Sequence, residues 1–401
     1  MARKATPAAR TERFQVGKAA ALAVIGLALV PIAVLEAASQ LPGGRASPVQ
    51  LPVLTSPATV NVTAKDREQL LRGEMPAEQR ERLVASGTRR LASEPLDPTA
   101  MWLWSLGQEQ AKARQALLLA DQFSRRERVV QLELVRLKAM DGKLGESLVH
   151  LDHALTVAPK AAPLVLKGIA AGLGEPQLIR LFKPYEQRPW YRDLLEQAVN
   201  FAPRPQDTAQ LLLQGNLGKQ DLPANFLSNI MSRLIQIGDL ATAETIAKRF
   251  TGMGDKAMEQ FAPTPQTMMA DAKPLSWELF NDTNVMGERI ANGVAFEVEP
   301  GLAGTLMARI TGFAPGTYTL KQTVLPSSED LLATWKLQCL GDKVFVQNWA
   351  QPLPPSATRQ TYQTTVTIPS DCRIQRWELS ASNQSGTERN AIEVTGLDLS
   401  R

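Results

Sequence analysis

The chain has 401 residues, 44% of them hydrophobic, and a formal net charge of +4. This length and composition suffice for a sizeable core and for two or three domains. Five basic residues and one acidic residue in the first eighteen positions already give a balance of +4. The remainder is therefore close to neutral, which leaves no basis for nucleic acid as a partner.

The first predicted element is an apolar run, AAALAVIGLALVPIAVL, which carries no charge and is near the shortest length that spans a bilayer. Basic residues beside such a run stay in the cytoplasm. We therefore expect residues 1–18 to be a cytoplasmic basic leader and residues 19–36 a single transmembrane anchor in the inner membrane, with the bulk of the chain in the periplasm. A cleaved signal peptide stays open as an alternative, since small residues near position 37 loosely fit a cleavage site.

Two further segments precede the C-terminal part of the chain. Residues 37–63 are rich in proline, lack helical periodicity and are expected to be an extended linker. Residues 64–262 have the apolar spacing of helices, with proline and glycine at short connections. We expect this second segment to be a helical domain.

A repeat occurs inside the predicted helical domain. Small residues Ala113 and Ala120 recur 34 positions later as Ser147 and Ala154, and Pro159 follows. This period is typical of a helix-turn-helix repeat, in which small side chains let two helices approach and proline ends the second. The pattern predicts an irregular array of helical hairpins.

The pattern changes again after a short linker at residues 263–273. Residues 274–401 contain eight or nine short segments of alternating polarity, separated by Gly, Pro, Asn and Asp turns. Such a pattern predicts an antiparallel β-sandwich of jelly-roll type. The chain is thus expected to be a multidomain protein, first α and then β.

Cys339 and Cys372 are the only two cysteines. Because disulfides persist in oxidising compartments, export of this part of the chain would favour a bond between them. We expect this disulfide to link two strands of the sandwich. Two free buried thiols stay open as the alternative.

Three family resemblances rest on these motifs. The segment with Gly142 at its turn, Ser147 and Ala154 at the small positions and Pro159 at its end resembles the tetratricopeptide-repeat family. The segments NGVAFEVEPGLAGTLMARITGFAPGTYTL and AIEVTGLDLS resemble carbohydrate-binding-module sandwiches. With the basic leader, the anchor, SRRER and LVHLDHAL, the whole chain resembles membrane-anchored tetratricopeptide-repeat proteins of alphaproteobacterial type. This resemblance implies an envelope role and no catalytic residues.

Strand alternation separates core aromatic residues from candidate binding residues. Successive side chains point to opposite faces of a strand, which places Trp335 and Trp377 in the core. In KVFVQNWAQPLPP the same alternation groups Phe345, Gln347 and Trp349 on one face. We expect these three residues to bind a ligand, with the Trp349 ring exposed.

The histidines offer little chemistry on the sequence alone. His150 and His153 are the only two, three positions apart on a predicted helix. Neither Glu146 nor Asp152 completes a metal-ligand set with them. We therefore expect no metal, no cofactor and no catalytic residues.

These observations predict a non-catalytic, membrane-anchored envelope adaptor or scaffold. Its helical repeats would bind an envelope protein and its sandwich a glycan or a protein, in polysaccharide assembly or export. Two alternatives stay open: a polysaccharide hydrolase or lyase, which needs two carboxylates about 5 to 10 Å apart, and a purely structural protein whose sandwich caps the helices.

Overall fold

The computed structural model describes residues 75–401, apart from residues 158, 160–161, 175, 342–343 and 355–357. The predicted leader, anchor and proline-rich linker lie outside the described residues. Within the described ranges, no helix combines the length and the apolar character that crossing a membrane requires. The chain divides into two compact units, the first ending at Leu217 and the second running from Gly218 to Arg401.

The described part of the first unit is helical, as predicted. Its helices are α1 (Ala77–Ser93), α2 (Pro98–Ser105), α3 (Gln110–Phe123), α4 (Arg128–Met140), α5 (Leu144–Val157), α6 (Ala162–Ala171), α7 (Pro176–Leu181), α8 (Pro189–Phe201) and α9 (Pro205–Gln214), with a 3₁₀ turn at Lys183–Tyr185.

Local signals in the sequence explain where these helices begin and turn. Asp97 caps α2 by accepting a hydrogen bond from the backbone N–H of Thr99 at 2.9 Å. Between α4 and α5, Gly142 adopts a φ of +73°, the left-handed conformation that glycine tolerates best. The Ser147 hydroxyl donates to the carbonyl of Val135 at 2.9 Å across the resulting hairpin. The hairpin is therefore present where it was predicted, while membership of the tetratricopeptide family stays a prediction.

The second unit begins with helices rather than with the sandwich. They are α10 (Phe226–Gln236), α11 (Leu240–Thr251) and α12 (Asp255–Glu259), with 3₁₀ turns at Lys219–Asp221 and Ala270–Ala272. The sequence analysis assigned these helices to the domain ending at residue 262, whereas the structure groups them with the strands.

The strands of the second unit are β1 (Glu278–Leu279), β2 (Val285–Ile290), β3 (Gly293–Val298), β4 (Ala303–Thr311), β5 (Gly316–Pro326), β6 (Leu331–Leu340), β7 (Phe345–Pro352), β8 (Gln360–Ile368), β9 (Gln375–Asn383) and β10 (Asn390–Ser400). The first sheet has the order β1-β4-β9-β6-β7 and the second β2-β3-β10-β5-β8. The neighbouring strands pair antiparallel. The predicted two-sheet sandwich is thus confirmed.

Aromatic rings fill the core between the sheets. Trp335 and Trp377 are fully buried, as alternation predicted, and Trp277 is buried beside them. Phe261, from the segment after α12, packs against Trp377 with ring centroids 4.9 Å apart. The segment that follows the helices therefore forms part of the sandwich core.

A buried arginine fixes the same segment to the sheet. Arg309 on β4 is 2% exposed, and its guanidinium donates to the carbonyls of Ala257, Met258, Gln260 and Leu275. Burial lowers the pKa of Arg309 to about 10, so the group stays charged at neutral pH. These bonds explain in physical terms why α12 belongs to the same unit as the strands.

The predicted disulfide between Cys339 and Cys372 is confirmed, with Cα atoms 5.2 Å apart. Cys339 lies on β6 as expected. Cys372 lies in the connection between β8 and β9, three residues before β9 begins, and not on a strand. The bond therefore joins a central strand of the first sheet to a loop.

Candidate functional site

A β-bulge in β7 separates the three residues predicted to share a face. Gln347 pairs with Gln338 and Trp349 pairs with Leu337, so Asn348 is an extra residue between the two pairs. The insertion reverses the alternation after it. Trp349 therefore points to the inner side of the sheet and packs, half-buried, against the sandwich core, and the prediction that its ring is exposed is wrong.

Phe345 and Gln347 lie on the outer face of the first sheet. Gln347 is exposed and Phe345 is half-buried. Four further polar residues from β6 and β9 share this face, because each is paired in register with its neighbours. We call the following six residues the polar patch: Lys336, Gln338, Phe345, Gln347, Arg376 and Glu378.

Two rows of paired residues order the polar patch. Gln338 is opposite both Gln347 on β7 and Arg376 on β9. In the next row, Lys336 is opposite Glu378. Four planar polar groups and one ammonium group therefore lie across three neighbouring strands, with the ring of Phe345 at one end.

Glu378 is the electrostatic centre of the polar patch. One carboxylate oxygen is 3.3 Å from Lys336 Nζ and the other is 3.1 Å from Arg376 Nη2. The Glu378 side chain is 9% exposed, whereas about a third of each cation remains open to solvent. The carboxylate holds both cations in place while leaving them donors for a further partner.

Gln338 adds an acceptor that no described residue satisfies. Its Oε1 atom is buried, with no hydrogen-bond partner in the described part of the chain. Such an atom costs about 1–3 kcal/mol relative to a paired one. A ligand hydroxyl that reached it after rotation of the amide would recover this free energy.

The outer face of the second sheet is different in character. Its threonines pair with one another: Thr317 with Thr367 at 3.4 Å, and Thr323 with Thr361 at 2.9 Å. Thr395 donates to the carbonyl of Thr323. Because these hydroxyls already have partners within the sheet, this face offers a ligand fewer free groups than the polar patch does.

Three carboxylates of the sandwich are paired with cations. Glu278 contacts Lys273 at 2.8 Å. Glu297 and Glu299 both contact Arg389.

The helical unit contains a cleft of about 540 Å³ between α1, α2, α3 and α4. Its lining includes Arg80, Trp102 and Arg114. The Trp102 Nε1 atom is buried and has no hydrogen-bond partner in the described ranges. Arg80 donates to the carbonyl of Leu106, and Arg114 is paired with Asp141.

The carboxylates considered beside the histidines have other partners. Glu146 contacts Lys138 and Lys143, whose hydrogen bonds lower the pKa of Glu146. Asp152 is buried, accepts from Trp190 Nε1 at 2.9 Å and contacts Arg188. The carboxylate that does approach the histidines is Asp121 of α3. Sequence spacing could not show this, because Asp121 lies on a different helix.

Comparisons with known proteins assign the chain to no family. No protein-family model matches it, and no curated protein matches it. Similar solved structures include a family 4 carbohydrate-binding module, 17% identical, which covers 32% of this chain and 87% of its own with a TM-score of 0.26. A family 61 carbohydrate-binding module in complex with β-1,4-galactotriose is 9% identical and covers 35% of this chain and 98% of its own, with a TM-score of 0.26.

A third structure concerns carbohydrate-binding modules of the β-sandwich superfamily. It is 19% identical and covers 30% of this chain and 55% of its own, with a TM-score of 0.24.

Proposed function

We propose that this protein is a non-catalytic adaptor whose sandwich binds a glycan through the polar patch. The observation that carries the proposal is the array of planar polar groups across β9, β6 and β7, with a partly exposed ring beside it. Sugar hydroxyls both donate and accept hydrogen bonds, and amide, guanidinium and carboxylate groups in fixed positions match them. The apolar face of a sugar ring would then lie against Phe345.

The charges of the polar patch define the class of glycan. Lys336 and Arg376 contribute two positive charges and Glu378 one negative charge, so the patch has a net charge of +1. A neutral glycan, or one with isolated acidic sugars, fits this balance. A densely sulfated polyanion would need a larger excess of basic groups.

The test is a glycan array with the full-length chain in a detergent that has no sugar headgroup. A ligand found there is then titrated against Gln347→Ala and Phe345→Ala. Each variant removes hydrogen bonds or apolar contact worth about 1.4 kcal/mol, so affinity should fall about tenfold. Gln363→Ala, an exposed glutamine on the outer face of the second sheet, is the matched control and should bind like the wild type.

Three outcomes of this experiment contradict the proposal. If the chain binds no glycan on the array, the glycan-binding function falls. If Gln363→Ala loses affinity and Gln347→Ala does not, the site lies on the other sheet. If bound glycans are shortened or acquire unsaturated ends during incubation, the protein is a hydrolase or lyase and not an adaptor.

The cleft of the helical unit would be the second binding site of the adaptor. We assign to it a polypeptide segment that carries a carboxylate, because Arg80 lies along the lining and Trp102 Nε1 is a buried donor without a partner among the described residues. Trp102→Phe removes that donor while keeping an apolar ring. A protein partner that the wild type captures from envelope extract should not bind the Trp102→Phe variant. The same partner should still bind the Phe345→Ala variant.

We place the protein at the inner membrane, with its two units in the periplasm. The apolar run at residues 19–36 and the basic leader support this location, as does the disulfide, because such bonds persist in oxidising compartments. Alkaline phosphatase fused after residue 60 should be active in a bacterial host. An inactive fusion present at normal abundance would argue against this topology.

A further inference from the structure

Three successive helices of the first unit bring together four side chains that can bind a metal ion. Asp121 comes from α3, Gln131 from α4, and His150 and His153 from α5. One ligand atom each of Asp121, His150 and His153 lies within 4.8 Å of the others. The two histidines are three residues apart, a spacing that places them on one face of a helix.

The atoms of this cluster converge on the amide of Gln131. Its Oε1 atom is 2.9 Å from His150 Nδ1 and 3.3 Å from His153 Nδ1. Its Nε2 atom donates to Asp121 Oδ1 at 2.6 Å. His150 Nδ1 and Asp121 Oδ1 are 3.9 Å apart. Two imidazole nitrogens, a carboxylate oxygen and an amide oxygen therefore lie close together on three helices.

We propose that Asp121, His150 and His153 form a zinc-type metal site that joins α3 to α5. Two imidazole nitrogens and one carboxylate oxygen are a common ligand set for Zn²⁺, with a fourth position left for water or another oxygen. In this site Gln131 Oε1 or a water molecule fills that position. An alkaline-earth ion is not favoured, because Ca²⁺ and Mg²⁺ select oxygen ligands.

For His150 and Asp121 the closure required is small. Metal–ligand bonds near 2.1 Å in a tetrahedron place ligand atoms about 3.4 Å apart, against 3.9 Å between His150 Nδ1 and Asp121 Oδ1. Rotation of the side chains supplies the difference. A neutral imidazole coordinates a metal through the ring nitrogen that lacks a proton. When Nδ1 binds the metal, the ring proton therefore moves from Nδ1 to Nε2, and no proton is released.

The cluster is partly buried and remains accessible from solvent. Gln131 is fully buried and His150 is 8% exposed, whereas Asp121 and His153 are half-buried and leave a path from solvent. Gln131 donates to the Asp121 carboxylate and accepts from Nδ1 of His150 and of His153, so these side chains are held close together before a metal arrives.

The composition of the chain simplifies a test of metal binding. These are its only two histidines, and both cysteines are in the disulfide. No other imidazole or free thiol in the chain competes for the ion. Full-length protein without a polyhistidine tag, treated with chelator and kept non-reduced, is titrated with Co²⁺, whose visible absorption reports coordination by nitrogen ligands.

We expect one Co²⁺ per chain, displaced by Zn²⁺ but not by Ca²⁺, and a higher thermal midpoint of the helical unit in Zn²⁺. Asp121→Asn and His153→Gln should each weaken binding at least tenfold. Glu146→Gln is the matched control: it removes a carboxylate one turn before His150 on the same helix, whose contacts are Lys138 and Lys143, and should bind like the wild type.

A measurement on the wild type keeps the proposal testable if a variant fails to fold. X-ray absorption of the Zn²⁺-loaded protein should give a shell of nitrogen and oxygen with the scattering pattern of two imidazoles. A shell without imidazole would overturn the proposal. So would the absence of saturable binding, or equal loss of affinity in Glu146→Gln and Asp121→Asn.

Discussion

Removing the disulfide should destabilise the sandwich by a predictable amount. The bond between Cys339 and Cys372 spans a sequence separation of 33 residues. Closing a loop of that length lowers the entropy of the unfolded chain and contributes about 3.5 kcal/mol at 25 °C. The double variant Cys339→Ala, Cys372→Ala should lose about this free energy of unfolding, and slightly more because both side chains are buried.

The loss should be visible as a shift in urea. With a slope of about 2 kcal/mol/M, the midpoint should fall by about 1.5–2 M. The slope itself should rise, because an unfolded chain without the cross-link exposes more surface. Hydrogen exchange at increasing urea, read separately on peptides from β6 and β9, assigns the transition to the sandwich.

Peptides from α4 and α5 provide the internal reference, since neither cysteine lies in the first unit. Their midpoint should stay unchanged in the double variant. Midpoints for β6 and β9 that stay within about 0.5 M of the wild type would refute the loop-entropy argument. Wild-type protein treated with a reductant should behave like the double variant.

Three further predictions concern single residues. Arg309→Met leaves buried carbonyls without their donor and should cost about 3 kcal/mol, seen first as faster hydrogen exchange in α12. Burial raises the pKa of Tyr191, so the folded state keeps a proton that the unfolded state loses above pH 10. The stability of the first unit should therefore fall by up to about 1.4 kcal/mol per pH unit there, and urea melts of Tyr191→Phe should lack this slope. Gly142→Ala, at a φ of +73°, should cost about 1 kcal/mol, whereas Gly145→Ala, inside α5 with open space around it, should be neutral or stabilising in the same thermal melts.

Much of the fold followed from patterns that act over a few residues. Period-two alternation placed Trp335 and Trp377 in the core, because a strand presents successive side chains to opposite faces. Gly142 marked the turn of a hairpin because the turn needs a left-handed residue. The disulfide followed from having two cysteines and an inferred oxidising compartment.

The tertiary structure decided the features that depend on insertion or on packing between distant segments. A single extra residue, Asn348, turned Trp349 inward while Phe345 and Gln347 stayed outside, because alternation holds only between bulges. Arg309 attached α12 to the sandwich through carbonyls about fifty residues away. Asp121 met His150 because α3 and α5 both pack against α4, and spacing within one helix carries no information about another helix. The sequence by itself therefore determined the elements and their inner faces, whereas packing determined which side chains share a site.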